Sequence, residues 1–375
     1  MKVFYIDPQS YNNLSTYDLS LLKNIQGHDV TYYHCDQYQH DILPGNSNKC
    51  YFHYNKKKHG ITKGISYLCS IIRITLDAII HKPDIVHVQW LRVWYIDYVF
   101  AVLMRWMGMR LVFTAHNILP HVIKKNDKKH YRRYYKLVDD IIVHNSRTRK
   151  ELAELMDISE EKIKVIFHGV LNSDTANADV ISRADELREL LHIKPSDMVF
   201  SCLGVQKAYK GTSIVIDTWA NNKELNTNPD IHLLIVGRSH GIDYTPIIKF
   251  SNVYILDQMI SDLDFEAYLH LSSVILLPYI RISQSGLLFS AVNQHIPVLV
   301  SDVGGLTEPL SYGNIGWNIG APTKENLQNH MLELVRRPDV IEEIKNNRKE
   351  FDKVREVYSW ESIGEKTSRL YSGEY

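Results

Sequence analysis

Ten short and mostly apolar runs recur along this sequence, with helical patterns between them. Each run is bounded by polar residues, and the ten cover residues 3–6, 30–33, 84–90, 110–115, 140–144, 198–203, 231–236, 253–256, 274–277 and 298–300. A strand that is apolar at successive positions is buried on both faces, as parallel strands are when helices cover the sheet. The sequence therefore predicts an α/β fold with doubly wound parallel sheets.

The length of the chain and one polar stretch predict two domains. The 375 residues exceed the usual size of a single hydrophobic core. Residues 169–185 lose apolar periodicity and gain small polar residues, and five of the apolar runs lie on each side. We therefore expect two similar halves, with the ligand in a cleft between them.

Composition excludes several classes of function. Lys plus Arg and Asp plus Glu are equal at 43 each, so net charge gives no reason to propose a nucleic-acid partner. The four cysteines have no C-x-x-C spacing, which argues against a metal site or a disulfide framework and favours the cytoplasm. The apolar segments 65–80 and 93–113 contain charged residues, so we interpret them as buried or interfacial helices.

Residues 121–136 form a basic patch with aromatic residues between the charges. They carry seven Lys or Arg residues against one acid, Asp127. Such a patch is attracted to an anionic membrane surface or to a phosphate-bearing acceptor, and the alternative is a solvated helix face. We expect a cytoplasmic protein that is peripheral on the inner face of the membrane.

Two segments that follow apolar runs are candidate phosphate sites. In residues 283–288, Ser-Gln-Ser-Gly-Leu-Leu, a strand ends in Ser and Gly and opens into a helix, whose free N–H groups and dipole attract an anion. In residues 207–211, Lys-Ala-Tyr-Lys-Gly, Lys207 and Lys210 precede another helix and supply mobile positive charges. Together the two segments predict a site for a nucleotide diphosphate.

Two further residues are candidates because of their position after a strand. His116 follows the run 110–115, where open α/β sheets bind ligands, and it is suited to hydrogen-bond sugar hydroxyls or to steady a developing charge. The alternative is a histidine that caps a neighbouring carbonyl. Glu308 follows Asp302-Val303-Gly304-Gly305 in a first helical turn, where an acid suits the helix dipole whether or not it binds a ligand.

The order of motifs resembles glycosyltransferase family 4 and its GT-B-fold relatives, in a subgroup of the SQSG type. The motifs that carry the resemblance span nearly the whole chain and are, in order, HDV, DIVHVQW, TAHN, HNS, YKG, LLIVGR, SQSG, PVLVSDVGG and SWESIGEKTSRLY. The resemblance implies two Rossmann-like domains that face a central cleft. Residues 1–172 would bind the acceptor, residues 173–359 would bind a nucleotide sugar, and a C-terminal helix of residues 360–375 would cross back to the first domain.

The resemblance also implies roles for single residues. Lys210 is similar to the lysine that contacts the donor diphosphate, and His116 is similar to the histidine beside the donor sugar. These two residues are the predicted catalytic pair. The other predicted donor-binding residues are Lys207, Gln284, Ser285, Gly286, Leu287, Glu308 and Asn13. Residues 253–262 are similar to the region that lines the base pocket.

The sequence departs from the family pattern in two places. Many members carry two glutamates seven residues apart around this glycine, but residues 282–291 contain no acid. A hydroxyl or an amide, such as those of Ser285 and Gln284, would then replace a carboxylate in binding sugar or ribose. The early Gly-Gly loop of the family is replaced by residues 8–13, which offer Asn12 or Asn13 to the ligands.

The resemblance implies a retaining transfer from a UDP- or GDP-sugar to a saccharide or polyprenyl-diphosphate-linked acceptor, in surface polysaccharide assembly. We expect no cofactor and no metal, because cationic residues can neutralise the departing diphosphate. Two alternatives stay open: an inverting transferase with Asp7 or Asp18 as base, and a nucleotide-sugar-binding partner subunit without activity. A dinucleotide oxidoreductase is disfavoured because no G-x-G-x-x-G follows the first strand.

Overall fold

The chain divides into two compact units in the computed structural model, which describes residues 1–11, 13–38, 40, 47–53, 60–120, 123–170 and 177–375. Unit 1 comprises Met1–Gly169 together with Tyr358–Tyr375, and unit 2 comprises Val170–Val357. The sequence placed the same two changes of domain at residues 172 and 360, a difference of three residues or fewer at each.

The described residues form thirteen strands. They are β1 (Lys2–Ile6), β2 (Asp29–Cys35), β3 (Ser47–Phe52), β4 (Ile85–Val88), β5 (Arg110–Thr114), β6 (Asp140–Val143), β7 (Ile163–Val165), β8 (Met198–Leu203), β9 (Ile231–Val236), β10 (Val253–Leu256), β11 (Val274–Leu277), β12 (Val298–Val300) and β13 (Gly316–Asn318). Unit 1 has a sheet in the order β3-β2-β1-β4-β5-β6-β7, and unit 2 has one in the order β10-β9-β8-β11-β12-β13. Every pairing in both sheets is parallel, as the apolar runs predict.

Helices connect the strands. In the described residues they are α1 (Asn13–Asn24), α2 (Gly60–His81), α3 (Trp94–Trp106), α4 (Asp127–Leu137), α5 (Ser146–Met156), α6 (Ala178–Leu190), α7 (Thr212–Ala220), α8 (Lys223–Asn226), α9 (Asp262–Leu271), α10 (Gly286–Asn293), α11 (Lys324–Arg336), α12 (Asp339–Asn346), α13 (Arg348–Val357) and α14 (Trp360–Ser372). Parallel strands joined by a helix make right-handed crossovers, so α2 to α5 lie on one face of the first sheet and α1 lies on the other. Helix α14 packs on α1.

Three observed strands and one helix were not predicted. Strands β3, β7 and β13 each lie at the edge of a sheet, and their sequences are short or polar, so they lack a continuous apolar run. Helix α6 begins at Ala178, inside the stretch predicted as a linker, and the Asn177 side chain accepts a hydrogen bond from the Val180 N–H. The apolar segment 93–113 is also not one helix. Helix α3 ends at Trp106, and strand β5 begins at Arg110 within the same segment.

Candidate functional site

The two predicted phosphate segments lie at the same edge of the second sheet. Strands β8 and β11 are paired and parallel, so the residues that follow them emerge side by side. The chain leaves β8 towards β9 in one direction and β11 towards β12 in the other. The pair is therefore the topological switch point, the place where open α/β sheets bind ligands.

The loop after β8 rests directly on the end of β11. Residues 208–210 form a short 3₁₀ turn, and Gly211 after it has φ +71°. A Cβ at Gly211 would lie 1.9 Å from the Pro278 carbonyl oxygen, so only glycine allows this approach. The Tyr209 carbonyl also accepts a 2.7 Å hydrogen bond from the Ile280 N–H. These contacts fix the backbone of Lys210 against β11.

Lys210 is a partly buried cation without a carboxylate partner among the described residues. Its Nζ lies over the Tyr279 ring, 5.8 Å from the centroid. Burial lowers the pKa of Lys210, and the neighbouring Lys207 lowers it further. Lys207 itself is exposed. A cation held at this edge without a paired acid is suited to an anionic ligand.

The Ser-Gln-Ser-Gly segment opens helix α10. Ser285 is the residue before the helix, and its Oγ accepts a hydrogen bond of 3.4 Å from the Leu288 N–H. The N–H groups of Gly286 and Leu287 have no acceptor within the described part of the chain. They are free to bind an anion, whereas the Ser285 oxygen is already used as the helix cap. Gln284 is half-buried beside them.

The loop after β12 is hydrogen-bonded to the chain between β11 and α10. Gly305 donates a 2.9 Å hydrogen bond from its N–H to the Ser283 carbonyl, and Ser301 Oγ donates one of 2.6 Å to the Tyr279 carbonyl. Gly304 has φ +55°, and a Cβ at this position would lie 1.7 Å from the Ile282 carbonyl oxygen. Glu308 begins the 3₁₀ turn Glu308–Ser311 beyond this loop.

We expect Gly304→Ala to destabilise unit 2 and to displace residues 282–285. Alanine at positive φ costs about 1 kcal/mol, and relief of the clash with the Ile282 carbonyl costs about 1–3 kcal/mol more. Gly241→Ala is the matched control, because Gly241 has φ +72° and open space at its Cβ. The thermal unfolding midpoints of both variants measure the difference, and equal losses would contradict the contact.

Gln206 holds the loop after β8 in place, and no sequence motif predicts this role. Its side-chain nitrogen donates to the Gly204 carbonyl at 2.6 Å, and its Oε1 accepts from Thr212 Oγ1 at 2.7 Å. The side chain is buried, so these bonds are shielded from water. A lone glutamine after a turn glycine carries no recognisable signal, because its partners are backbone groups and a helix start.

His116 in unit 1 lies after β5, as predicted, and both its ring nitrogens have partners. Nε2 lies 3.1 Å from the Gln89 side chain, and Nδ1 lies 3.1 Å from His144 Nε2. The ring stacks on Trp90 with centroids 4.8 Å apart and an interplanar angle of 4°. The alternative of a carbonyl-capping role does not describe this histidine, since its partners are side chains.

Both ring nitrogens of His116 face groups that can accept a proton. The Ile166 carbonyl only accepts, so His144 Nδ1 donates to it at 2.9 Å and His144 Nε2 accepts from His116 Nδ1. On its other side, His116 Nε2 faces Gln89 Oε1 at 3.1 Å, because the Gln89 amide nitrogen is directed at His87 Nε2 at 2.9 Å. Burial lowers the pKa of His116 well below its usual value, and the neighbouring His144 adds to this. Burial therefore favours the neutral imidazole of His116.

The two candidate bases for an inverting reaction are buried in unit 1. Asp7 and Asp18 are 1% and 0% exposed and are hydrogen-bonded to each other. Asp18 also accepts bonds of 2.7 Å from the Tyr5 and Tyr32 hydroxyls. Burial raises the pKa of both carboxyl groups, that of Asp18 to about 6. Neither carboxylate is free to meet an acceptor, so the structure contradicts this assignment.

Two predicted donor-binding positions cannot be compared with side-chain contacts. Asn12 and the first two positions of the basic patch, 121 and 122, lie outside the described residues, and Asn13 begins α1 but its side chain is not described. The described residues contain no group of three or more His, Cys, Asp or Glu side chains that could hold a metal ion. The sequence does contain one Asp-x-Asp triplet, residues 262–264. It lies at the start of α9, where Asp264 accepts from Arg183 at 2.8 Å.

Two family models match the sequence. The model described as Glycosyltransferase Family 4 matches residues 16–171, and the model described as Glycosyl transferases group 1 matches residues 197–337. The first lies in unit 1 apart from its last two residues, and the second lies in unit 2. None of the curated proteins matches the sequence significantly.

Solved structures with the same fold cover the whole chain. HepE from Anabaena in complex with UDP has a TM-score of 0.72 at 14% identity and covers 100% of both chains. The same protein with UDP-glucose has a TM-score of 0.65 at 16% identity, again over 100% of both chains. A glycosyltransferase from Rickettsia africae has a TM-score of 0.69 at 15% identity, over 100% of this chain and 98% of its own.

Proposed function

Since the chain belongs to the glycosyltransferases of the GT-B fold, we propose that it transfers a sugar from a UDP- or GDP-sugar to a saccharide or lipid-linked acceptor. One observation carries the donor assignment. The Lys210 cation and the free N–H groups of Gly286 and Leu287 follow two adjacent strands at the switch point of one sheet. A diphosphate offers oxygens to both groups at once. The UDP and UDP-glucose complexes of HepE support a nucleotide sugar as the ligand.

We propose a retaining reaction without a metal cofactor. The acceptor hydroxyl attacks on the face from which the diphosphate leaves, and a diphosphate oxygen takes its proton, so no enzymic nucleophile is needed. Lys210 stabilises the charge of the departing diphosphate, and the helix N-terminus binds its distal phosphate. The burial of Asp7 and Asp18 supports this choice, because neither candidate base is accessible.

The remaining predicted residues take supporting roles in this proposal. Lys207 is exposed beside Lys210 and adds positive charge to the diphosphate site. We propose that Gln284 and Ser285 replace the acidic pair of many family members and that the chain belongs to an SQSG-type subgroup. Glu308 and Asn13 are proposed donor contacts, and His116 offers a neutral imidazole to the sugar or acceptor hydroxyls.

A nucleotide-sugar-binding subunit without activity is the second candidate. One observation favours it: residues 282–291 contain no acid, although α10 begins there. Binding of the donor without turnover on any acceptor would support it over the transferase.

A thermal-shift screen of UDP-, GDP- and dTDP-sugars tests the donor assignment. A ligand at about 100 times its dissociation constant stabilises the folded protein by roughly 2.7 kcal/mol. We expect one nucleotide series to raise the unfolding midpoint and the others to do so less. Transfer of a radiolabelled sugar from that donor then separates the enzyme from the inactive subunit, and no stabilisation by any of the three series would contradict the proposal.

We further propose that the acceptor is linked to a polyprenyl diphosphate and that the protein works at the cytoplasmic face of a membrane, in surface polysaccharide assembly. The basic patch supports this. Its cationic side chains without an ion pair in the described residues are Lys124, Lys125, Lys128, Lys129 and Arg133. Arg132 and Lys136 instead pair with Asp157. Five unpaired cations are suited to an anionic lipid surface.

A further inference from the structure

Helix α2 is apolar on two opposite faces. Tyr67, Ile71, Ile74 and Ala78 are buried against the sheet of unit 1. On the other face, a second stripe at helical spacing is between 43% and 71% exposed; it comprises Ile65, Leu68, Ile72, Leu76, Ile79 and Ile80. A helix that only covers a sheet needs one apolar face and keeps its outer face polar. The outer face of α2 is therefore not explained by the core.

Helix α3 repeats this arrangement beside α2. Phe100, Ala101 and Met104 are buried, whereas the outward side chains are apolar and at least 40% exposed. These outward side chains are Tyr95, Val99, Val102, Leu103 and Trp106. Trp106 is 85% exposed, and a tryptophan at that exposure has its whole indole available to a partner. We call the outer faces of α2 and α3 the apolar plane.

The apolar plane is continuous, because α2 packs on α3 in one helical layer. Its eleven exposed apolar side chains exceed what a soluble monomer commonly presents in one patch. Helix α4 packs on the other side of α3, and Trp94 stacks on His130 with ring centroids 4.6 Å apart. The plane therefore borders the unpaired lysines and arginine of the basic patch.

Carboxylates are kept away from the apolar plane. The acids of α2 and α3 are Asp77 and Asp97. Asp77 accepts from the Lys49 ammonium at 2.7 Å and from the hydroxyls of Tyr33 and Tyr51. Asp97 is buried and accepts from the Tyr67 hydroxyl and the Val93 N–H. The Lys and Arg side chains of the two helices are Lys63, Arg73 and Arg105, and Arg105 pairs with Asp139.

We propose that the apolar plane docks on an anionic lipid bilayer, with the side chains of α2 and α3 in the interfacial region and the basic patch on the headgroups. A helix that lies in the interfacial region has apolar side chains, aromatic residues and flanking lysines. The exposed aromatic residues of the apolar plane are Tyr95 and Trp106. A second copy of the chain would bring two basic patches near each other, whereas anionic lipid neutralises them.

Helix α2 lies on the bilayer rather than across it. Among the described helices, one segment, Thr62–His81, has the length and composition that a membrane span would need. Its inner face, however, belongs to the core cluster of unit 1. A spanning helix would have to expose Ile74 and Ala78 to lipid and leave the sheet uncovered, so the docked orientation keeps the fold intact.

Flotation of the full-length protein with vesicles tests the proposal. We expect binding to phosphatidylcholine vesicles that contain about a third phosphatidylglycerol, and at least tenfold weaker partition for the triple variant Ile72→Ser, Leu76→Ser, Trp106→Ser. The matched control is Leu190→Ser with Ile248→Ser, two exposed apolar residues of unit 2 that are 69% and 65% exposed. Equal partition of the triple variant and the wild type would overturn the proposal.

Fluorescence of Trp106 measures depth directly. Lipids brominated on their acyl chains should quench tryptophan emission of the bound wild type, and Trp106→Phe should remove most of that quenching. Unchanged quenching would overturn the proposal, as would concentration-dependent dimerisation that the triple variant abolishes while vesicles bind neither protein. The inference does not rest on sugar transfer: these measurements contain no donor, so they can fail while turnover on a detergent-solubilised acceptor succeeds, or the reverse.

Discussion

Replacement of Lys210 by alanine is expected to reduce kcat for sugar transfer by about 10²–10³-fold, the usual cost of removing one preorganised group that stabilises charge in the transition state. The ammonium is held over the Tyr279 ring, and the loop that carries it is fixed on β11 by Gly211. Charge builds on the diphosphate as the glycosidic bond breaks. The lysine therefore acts more strongly on kcat than on donor binding.

Steady-state kinetics of radiolabelled sugar transfer measure this effect. The control is Lys207→Ala, which removes an exposed lysine of the same loop, and we expect it to lower kcat/KM by roughly tenfold or less. The unfolding midpoint of Lys210→Ala should match the wild type, because Lys210 has no ion pair to lose within the described residues. Full activity in Lys210→Ala would remove the lysine from the catalytic site.

The second large effect is expected from Asp18→Asn. Asp18 accepts from two tyrosine hydroxyls and from Asp7, and an asparagine can accept at one oxygen only. A buried tyrosine hydroxyl that loses its acceptor costs about 1–3 kcal/mol. For a unit of this size, that loss lowers the thermal unfolding midpoint by roughly 2–12 °C.

Asp7→Asn is the matched variant and is expected to be tolerated. Asp7 accepts a 2.6 Å hydrogen bond from the Gln9 N–H and, in its protonated form, donates to Asp18. Asparagine offers the same pattern, with an oxygen towards Gln9 and an N–H towards Asp18. Thermal scans of both variants by near-UV circular dichroism make the comparison, and similar losses in the two would contradict the proposed sharing of a proton.

The pair also gives a pH dependence of known sign. Burial raises the pKa of both carboxyl groups above the value of about 3.9 in an unfolded chain. The two protonated carboxyl groups contribute their whole stabilisation of the folded state below pH about 3.9. This stabilisation is lost as the pH rises through the pKa of each group in the folded state, which is about 6 for Asp18. Asp7→Asn should therefore gain stability relative to the wild type as pH rises from about 4 to 8.

The sequence predicted the central strands because their signal is local. All ten apolar runs became strands, and in unit 2 their bounds agree with β8 to β12. The missed strands β3, β7 and β13 are all at sheet edges. An edge strand has one neighbour and can form with little burial, so it does not require an apolar run, although β10, also at an edge, has one. Pairing with that neighbour decides its conformation.

The candidate site was predicted in outline for the same reason. Strand followed by glycine and helix is readable from consecutive residues, and parallel pairing of β8 with β11 brings Lys210 and Gly286 to one edge. The supports were not readable. Gln206 and Gly304 act through backbone carbonyls, and the partners of His116 lie 27 and 28 residues away in the chain.

Sequence by itself determined the α/β class, the two domains and the strands that carry the loops of the site, because an apolar run reports burial wherever the chain goes. Only the tertiary structure decided which of these residues are available. It buried Asp7 and Asp18, and it placed His116 where burial lowers the pKa of the imidazole. It also left one apolar face of α2 uncovered. The spacing of apolar residues shows that α2 has two apolar faces. The sheet can cover only one of them, and long-range packing decides which face is covered.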